Sequence, residues 1–342
     1  MTGAAAMLDP TATEWAQALN SAGHDMYHVP AYVVLDARLT GGTPTAFWYA
    51  DGDRHLLIPF ILREIPGSEL RDAVSPYGYP APVSNADADD TEFWAAACRA
   101  MVETLRAHGV VTAFVRMHPL LPAPLVTLGE FGTVVRHGET VSVDLSITVE
   151  EMWSQTRSDH RNHINRERRN GTKVAFDDWT RLDEWVEVYH DNMRRVGASP
   201  YYFFSSEHLV ALHDAIGDRM HLAVAIVDDQ VVGGNTFFEH DGIVQGYVSS
   251  TRRAKNRYAD ELLYDEVRRF CKEHGHAVFH MGGGKGGCND SLFSYKAGFS
   301  PNRHPFHTWR VVTDQGAYRN LIQQRNPAVD PADMSGTFPP YR

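Results

Sequence analysis

The chain has 342 residues, more than one hydrophobic core usually serves, so we expect two domains. Its composition, 43% apolar and 22% charged, is that of an ordinary globular protein, and it holds no run of 18 apolar residues that would predict a membrane-spanning helix. Residues 1–150 carry 8 Arg, no Lys and 18 Asp or Glu, which accounts for almost all of the net charge of −11. This acidic half excludes a broad nucleic-acid surface and argues against a DNA partner. An RNA contact would have to be local and lie in the second half.

Cysteine usage and the first residues indicate the compartment. Three cysteines, a small and odd number, fit a reducing environment without a disulfide framework. Residues 1–10 lack the basic start and the apolar stretch of a signal peptide. We therefore expect a cytoplasmic protein without membrane insertion.

Helices and strands alternate along the first half. An Asp-Gly-Asp turn between two apolar arms predicts a β-hairpin. A later segment, residues 75–82, is too rich in proline for a helix or strand, and its tyrosines, Tyr77 and Tyr79, can pack or line a cleft. The predicted elements are a helix at 14–21, hairpin arms at 46–49 and 56–62, a helix at 87–107, a strand at 110–115 and alternating strands over 134–145.

The second half begins with helices and continues as a meander of strands. Tight turns at 228–230 and 240–242 predict three antiparallel strands. The helix at 259–274 must then return the chain to a strand parallel to the third, and a ligand can enter where that pair separates. The predicted elements are helices at 150–170, 183–196 and 206–216, strands at 173–176, 221–227, 231–239 and 243–250, a helix at 259–274, a strand at 277–280, a helix at 291–296, a strand at 308–312 and a helix at 317–324.

A glycine-rich loop separates the strand at 277–280 from the short helix at 291–296. Five of the six residues from Gly282 to Gly287 are glycine, so the main chain can approach a ligand closely. Asp290 or Ser291 is a good N-cap for the helix, and Lys296 follows about one turn later. A bare loop, a helix start and a lysine together predict an anion or oxyanion site. The alternative is a mobile turn with a solvated lysine.

Taken together, the elements resemble the GNAT acyltransferase fold present twice, and the motifs resemble the FemABX-like branch of that superfamily. The resemblance implies an α+β fold of two GNAT-like domains, residues 1–145 and 146–325, each a mixed, mostly antiparallel sheet with flanking helices. A proline-rich tail, residues 326–342, is expected to be extended or disordered. The matching stretches are residues 75–82, 115–120, 143–145, 161–171, 189–193, 283–290 and 293–299.

The resemblance implies an amide-forming transfer, in which an amine attacks an acyl group carried by CoA or by the 3′ end of a tRNA. The family's tRNA users place a lysine, at the position of Lys296, near the transferring ester and the RNA end. Asp290 is our candidate for a base or amine-orienting group, and Lys296 for the oxyanion or phosphate partner. Tyr77, Tyr79, Tyr202 and Tyr247 are our candidates for the acceptor pocket. The small-molecule amine would be a peptidoglycan precursor or a natural product.

The segment at 250–259 departs from ordinary CoA-binding GNAT proteins. It contains no glycine, so side chains would block the close backbone approach that holds a pyrophosphate. Its side chains could instead meet phosphates, which favours a tRNA acceptor end over CoA; the alternative is a solvated basic loop. The predicted donor-binding or phosphate-binding residues are Arg161, Arg252, Arg253, Lys255, Arg257, Lys285, Gly283 and Gly284.

Other chemistries are less well supported by the sequence. His274, His276, His280 and Cys288 do not have the spacing of a zinc site, so no metal is predicted. A nucleophile elbow is also missing, and direct attack by an amine needs none. We therefore expect a transferase that uses aminoacyl-tRNA as co-substrate and holds no tightly bound cofactor. The alternatives are an acyl-CoA-dependent N-acyltransferase of the same fold and a binding protein with a decayed GNAT fold.

Overall fold

The computed structural model describes residues 3–252 and 258–342. In chain order, the elements up to residue 144 are β1 (Ala4–Leu8), α1 (Thr13–Ser21), α2 (Pro30–Thr40), β2 (Thr43–Asp51), β3 (Arg54–Glu64), β4 (Arg71–Val74), β5 (Val83–Ser84), α3 (Thr91–Ala107), β6 (Val110–Arg116), α4 (Leu125–Phe131) and β7 (Thr133–Asp144). The elements that follow are α5 (Val149–Gln155), α6 (Ser158–Arg169), β8 (Lys173–Phe176), α7 (Leu182–Arg195), α8 (Ser206–Ile216), β9 (Met220–Val227), β10 (Gln230–His240), β11 (Ile243–Thr251), α9 (Ala259–Glu273), β12 (Val278–Gly283), α10 (Ser291–Lys296), β13 (Arg303–Val312) and α11 (Gln315–Arg325).

The chain forms two compact units. Unit 1 comprises Met1–His137 and Pro305–Arg342, and unit 2 comprises Gly138–His304. The chain therefore changes unit within β7 and again within β13. None of the helices in the described residues is both long enough and apolar enough to cross a bilayer.

Unit 1 contains a sheet in the order β1-β2-β3-β4-β6-β13. The predicted hairpin is confirmed: β2 and β3 pair from Thr43↔Leu62 to Asp51↔Arg54, and Gly52 takes the positive φ of +66° that the turn requires. α3 carries the chain from this meander to β6, which runs parallel to β4, and β13 then pairs antiparallel with β6.

Unit 2 contains a sheet in the order β7-β12-β11-β10-β9-β8. As predicted, β9, β10 and β11 form an antiparallel meander, and α9 returns the chain to β12, which runs parallel to β11. The parallel pairing runs from Ile243↔Val278 to Gln245↔His280. Both strands continue past it, β11 to Thr251 and β12 to Gly283, so they separate as predicted.

The two sheets share one plan: four antiparallel strands, a crossover helix, a parallel strand and a final antiparallel strand. This confirms the predicted α+β class. In each unit the final strand comes from a distant part of the sequence, β13 in unit 1 and β7 in unit 2. The compact units thus have other boundaries than the expected domains 1–145 and 146–325, because residues 140–144 pair with β12 and residues 308–312 pair with β6.

The single helix expected at 150–170 is two helices, α5 and α6. Thr156 and Arg157 are extended, with ψ of 132° and 144°, so the helical ladder stops there. Arg161 donates from one guanidinium nitrogen to the carbonyls of Trp153, Ser154 and Thr156, at 3.3, 3.1 and 2.6 Å. These bonds satisfy carbonyls that the end of α5 leaves without helical partners.

The proline-rich tail packs on unit 1 instead of being extended or disordered. The Tyr341 ring is buried, and its hydroxyl lies 2.8 Å from Thr112 Oγ1. Arg342 Nε donates to Asp72 Oδ2 at 2.5 Å, while Arg63 Nε donates to Oδ1 at 2.7 Å. The Asp72 side chain is fully buried, so these two guanidinium groups compensate a charge removed from water. The prediction rested on the prolines of the tail and did not consider that Tyr341 and Arg342 attach the tail to unit 1.

Candidate active site

Lys296 contacts the end of β12, beyond the last residue of that strand that pairs with β11. It is the last residue of α10, and its ammonium donates a 2.8 Å hydrogen bond to the carbonyl of Gly283. Gly283 ends β12, three residues past the last pair with β11. Burial lowers the pKa of Lys296 from 10.5 to about 8, partly opposed by the Asp290 carboxylate. The site therefore presents a lysine that is still mostly an ammonium at pH 7 and loses its proton above about pH 8.

Asp290 holds the loop that surrounds this lysine. One carboxylate oxygen accepts from Phe293 N at 2.9 Å and caps α10, and the other accepts from Lys285 N at 3.0 Å. Burial favours the neutral acid, but these backbone donors outweigh it and lower the pKa of Asp290 below 3.8. A carboxylate occupied in this way is a weak base. The Lys285 side chain points to solvent.

The predicted glycines have tight packing of their own. A Cβ at Gly284 would lie 2.1 Å from the carbonyl oxygen of Cys288 and 2.3 Å from Asp290 Oδ1. A Cβ at Gly283 would lie 2.8 Å from the carbonyl oxygen of Glu139 on β7. Gly286 has φ of +64°, a backbone conformation that glycine adopts without strain. The bare backbone thus lets the loop fold against itself and against β7.

A buried group of acids and phenols joins α10 to the start of α9. Burial, and after it the carboxyls of Asp260 and Glu261, raise the pKa of Tyr295, which directly precedes Lys296. The Tyr295 ring packs against Tyr264 at 5.9 Å and against His160 of α6 at 5.2 Å. Tyr295 therefore belongs to a continuous set of side chains from α6, α9 and α10, and Lys296 follows it in the chain.

His163 and Glu261 form a hydrogen-bonded contact in this set. His163 Nδ1 lies 2.9 Å from Glu261 Oε1, and the imidazole stacks on the Tyr258 ring at 3.6 Å with the planes 9° apart. Sequence reasoning missed both residues. Acids in the first turn of a helix are ordinary, and the two positions are 98 residues apart, so no local signal pairs them.

One face of α6 lines a cleft of about 310 Å³. Its basic members, Arg166 and Arg169, are exposed, and the Arg166 guanidinium lies 5.6 Å from the Tyr258 ring. Among the predicted phosphate ligands, Arg161 instead caps α5, and Arg252 is exposed with its backbone N–H bonded to Val232. Arg253, Lys255 and Arg257 lie outside the described residues. The residues lining the cleft are Asn162, His163, Asn165, Arg166 and Arg169.

The structure places the four predicted pocket tyrosines in two separate units. In unit 1, Tyr77 N donates to Asp36 Oδ2 at 2.9 Å, and the Tyr79 ring meets Phe306 edge-on at 5.5 Å. In unit 2, the Tyr247 ring stacks on Phe204 at 5.5 Å, and the backbone carbonyl of Tyr202 accepts from the Tyr189 hydroxyl. Tyr202 and Tyr247 thus belong to one aromatic cluster, packed around Phe204.

Comparison with known families identifies unit 2. Residues 155–297 match the family described as an acetyltransferase (GNAT) domain. Residues 155–297, less than half of the chain, are thus similar to a GNAT acetyltransferase domain. This match assigns the protein to the transferase class of enzymes. The matched range includes the crossover helix, the glycine-rich loop and Lys296. A search of curated proteins finds no match to the sequence.

Solved structures share the two-unit GNAT fold at low sequence identity. FemX is 12% identical with a TM-score of 0.68, covering 92% of this chain and 99% of its own. L-PGS from Bacillus licheniformis is 14% identical with a TM-score of 0.58, covering 93% and 97%. A tandem GNAT protein from the clavulanic acid biosynthesis pathway is 12% identical with a TM-score of 0.50, covering 91% and 99%. These likenesses confirm the predicted fold of two GNAT-like units, a fold that the chain shares with FemX.

Proposed function

We propose that the protein forms an amide by moving an aminoacyl group from the 3′ end of a charged tRNA to an amine. The acceptor would be a peptidoglycan precursor or a small natural product. In this reaction the amine attacks the ester carbonyl, negative charge grows on the carbonyl oxygen, and the ribose oxygen leaves. Catalysis by such an enzyme needs positioning, a cation or dipole at the oxyanion, and a route for the protons.

The observation that carries the proposal is the contact between Lys296 and Gly283. The ammonium is held 2.8 Å from a backbone carbonyl where β11 and β12 separate. An acyl group entering that gap would bring its own carbonyl oxygen to the same cation. A half-buried ammonium stabilises a growing oxyanion more than a solvated one, because the surroundings screen the attraction less.

The donor's phosphates are assigned to the cleft on α6. Arg166 and Arg169 lie one turn apart on the same helical face and offer guanidinium donors suited to phosphodiester oxygens. The glycine-free segment 250–259 supports side-chain recognition over the bare-backbone pyrophosphate loop that a CoA user needs. A local basic cleft in a chain of net charge −11 suits an RNA end that makes few contacts.

Asp290 takes a supporting part in this proposal instead of acting as the base. Its two oxygens are engaged by the Phe293 and Lys285 backbones, so it fixes the loop that presents Lys296. Tyr202 and Tyr247 remain the proposed wall of the acceptor pocket in unit 2, and Tyr77 and Tyr79 remain candidates in unit 1. The reaction needs no nucleophile from the enzyme.

The second candidate is transfer from an acyl-CoA. It is favoured by the acetyltransferase family match and by the likeness to the tandem GNAT protein, whose structure is described as being without AcCoA. The two donors differ in a way that an assay can resolve directly. Only the first reaction is lost when RNA is digested.

The test is amide formation from total tRNA charged with labelled amino acids, offered with a mixture of amine acceptors. We expect labelled amide with native charged tRNA and none after ribonuclease treatment. An acyl-CoA mixture without RNA, incubated with the same amines, is the matched control and should give no product. Amide formation that survives ribonuclease and requires acyl-CoA would replace the proposal with the second candidate.

A further inference from the structure

The contact between His163 and Glu261 is supported by two further residues, Tyr258 and Glu167. Glu261 Oε1 lies 2.9 Å from Nδ1 of the imidazole, and the Tyr258 ring covers one face of the imidazole at 3.6 Å. Tyr258 is itself anchored, because its backbone N–H donates to Oε1 of the buried Glu167 at 3.1 Å. A histidine that only faced solvent would not need the stacked Tyr258 ring or its anchor on Glu167. The arrangement fixes the ring so that one nitrogen meets Glu261 and the other remains available.

Glu261 is the buried partner of the pair, and His163 is the accessible one. The Glu261 side chain is 8% exposed and that of His163 is 28% exposed, on the wall of the α6 cleft. The second oxygen of Glu261, Oε2, is buried, and its neighbour is the Asp260 carboxyl instead of a cation. A buried carboxylate beside another carboxyl is costly, so the neutral acid is favoured at this position.

The surroundings of the pair favour the neutral form of both partners. Burial, reinforced by the Asp260 carboxyl, raises the pKa of Glu261 well above its usual value. Burial lowers the pKa of His163, and Arg166 and Arg157 add to this against the opposing carboxylates of Asp159 and Asp260. Both partners are therefore neutral at pH 7. The titratable or charged groups around the pair are Arg157 directly before α6, Asp159, His160 and Arg166 on α6, Asp260 on α9 and Tyr295 on α10.

The neutral pair determines which nitrogen of His163 carries hydrogen. When the protonated Glu261 donates to Nδ1, the ring hydrogen sits on Nε2. With Nδ1 bound to Glu261, Nε2 is the ring nitrogen available to the cleft, where Arg166 and Arg169 are placed to hold donor phosphates. An N–H group on this wall of the cleft would lie close to the bound phosphates and would donate to an oxygen of the aminoacyl-tRNA.

We propose that His163 is the general acid that protonates the leaving ribose oxygen of the donor ester, and that Glu261 is the positioning residue that restores the proton to it. This rests on the proposed function. As the carbon–oxygen bond breaks, Nε2 gives its proton to the departing oxygen, and the Glu261 carboxyl passes its own proton to Nδ1. The attacking amine loses one proton as the carbon–nitrogen bond forms. Nε2 takes up that proton and Nδ1 returns its own proton to Glu261, so the starting tautomer of His163 and the acid form of Glu261 are both restored. No net proton enters or leaves, and no further reactant is needed.

The test compares two donors that differ only in the leaving group. One is a minihelix RNA charged with an amino acid, whose ribose oxygen needs a proton to leave. The other is the cyanomethyl ester of the same amino acid, whose weakly basic leaving group needs none. Single-turnover transfer to an amine is measured for wild type, His163→Gln, Glu261→Gln and His274→Gln. His274 is the control, because it lies at the end of α9 and bonds only the Phe270 carbonyl among the contacts described.

We expect His163→Gln to lower the rate with the charged minihelix by about 100-fold and to leave the rate with the cyanomethyl ester within about twofold of wild type. Glu261→Gln can still donate to Nδ1 but cannot give up a proton, so it should lose about tenfold on the minihelix alone. His274→Gln should match wild type on both donors. Equal losses on both donors would overturn the inference, since they indicate a structural role.

A second readout does not depend on turnover. Nitrogen-15 chemical shifts of His163 in the free protein should show the neutral ring with hydrogen on Nε2 at pH 7, and Glu261→Ala should abolish that preference. Hydrogen on Nδ1 would overturn the inference. Wild type that transfers from acyl-CoA and not from charged RNA would instead defeat the proposed function and remove the leaving group on which the inference rests.

Discussion

The ammonium nitrogen of Lys296 lies 2.8 Å from the carbonyl oxygen of Gly283. This contact ties the end of α10 to the end of β12, so the position of the cation depends on the loop that joins them. The carbonyl of a bound acyl group would compete with that of Gly283 for the same ammonium. The loop therefore has two functions. It positions the Lys296 ammonium, and it leaves that ammonium able to exchange the Gly283 carbonyl for the carbonyl of a bound acyl group.

Replacing Lys296 should make the protein more stable while removing its activity. Burial disfavours the ammonium, so Lys296→Met should raise the free energy of unfolding at pH 7 by about 1 kcal/mol. The sign of the pH dependence follows from the lowered pKa. Between about pH 8 and 10.5 the unfolded chain holds this proton and the folded chain does not, so wild-type stability rises across that window.

The measurement is urea unfolding of wild type and Lys296→Met at pH 7 and pH 10. The advantage of the variant should shrink at the higher pH, because the wild-type lysine is then neutral in the folded state. An advantage that is unchanged between the two pH values would mean that the ammonium carries no burial cost. Lys296→Arg keeps the charge and serves as the control at both pH values.

Two glycines of the loop should respond differently to alanine. A Cβ at Gly284 meets backbone and carboxylate oxygens within 2.3 Å, whereas a Cβ at Gly286 meets nothing within 4 Å. Gly284→Ala should therefore cost about 3 kcal/mol and displace Asp290, with loss of transfer. Gly286→Ala, whose cost comes only from its φ of +64°, should cost about 1 kcal/mol and keep most activity. Thermal unfolding and transfer assays of the pair check this, and a harmless Gly284→Ala would contradict the packing.

Substitutions of Arg161 and Arg166 should distinguish a residue that stabilises the fold from a residue that binds RNA. Arg161 bonds three carbonyls at the end of α5, so Arg161→Ala should lower stability by about 2 kcal/mol without changing the salt dependence of RNA binding. Arg166→Ala should leave stability unchanged and reduce the slope of log affinity against log salt by about 1. Binding titrations with a minihelix RNA at several salt concentrations distinguish them. A reduced slope in Arg161→Ala with an unchanged slope in Arg166→Ala would reverse the two assignments.

Asp290→Asn should weaken the loop and leave the acid limb of the pH–rate profile in place. The carboxylate caps α10, and its loss should cost about 1 kcal/mol at pH 7. The pKa of Asp290 lies below 3.8, so its contribution is present above that pH and disappears as the pH falls through the folded-state pKa. Unfolding measured at pH 7 and pH 3 should show the difference between wild type and variant narrowing. If Asp290 were the base, the acid limb itself would vanish in the variant.

Local signals in the sequence were sufficient for the parts of the site that depend on neighbouring residues. An N-cap at Asp290 or Ser291 predicted α10, which the structure places at Ser291–Lys296 with Asp290 as the cap. The crossover helix predicted the parallel pair of β11 and β12, because two parallel strands require such a return.

What the sequence could not predict depends on contacts between distant residues. The pairing of Thr308 with Arg116 assigns β13 to unit 1, and no local pattern specifies that partner. Arg161 has the residue type of a phosphate ligand, and only the break between α5 and α6 turns it into a cap. His163 and Glu261 are unremarkable singly and become a pair only when α6 packs along α9.

The most direct test of the central claim is single-turnover transfer from a charged minihelix RNA to an amine by wild type and Lys296→Met. The proposed function predicts transfer by wild type that ribonuclease abolishes, and a rate about 100-fold lower in the variant, because one oxyanion partner has been removed. A variant that transfers at the wild-type rate would contradict the role given to the Lys296 ammonium.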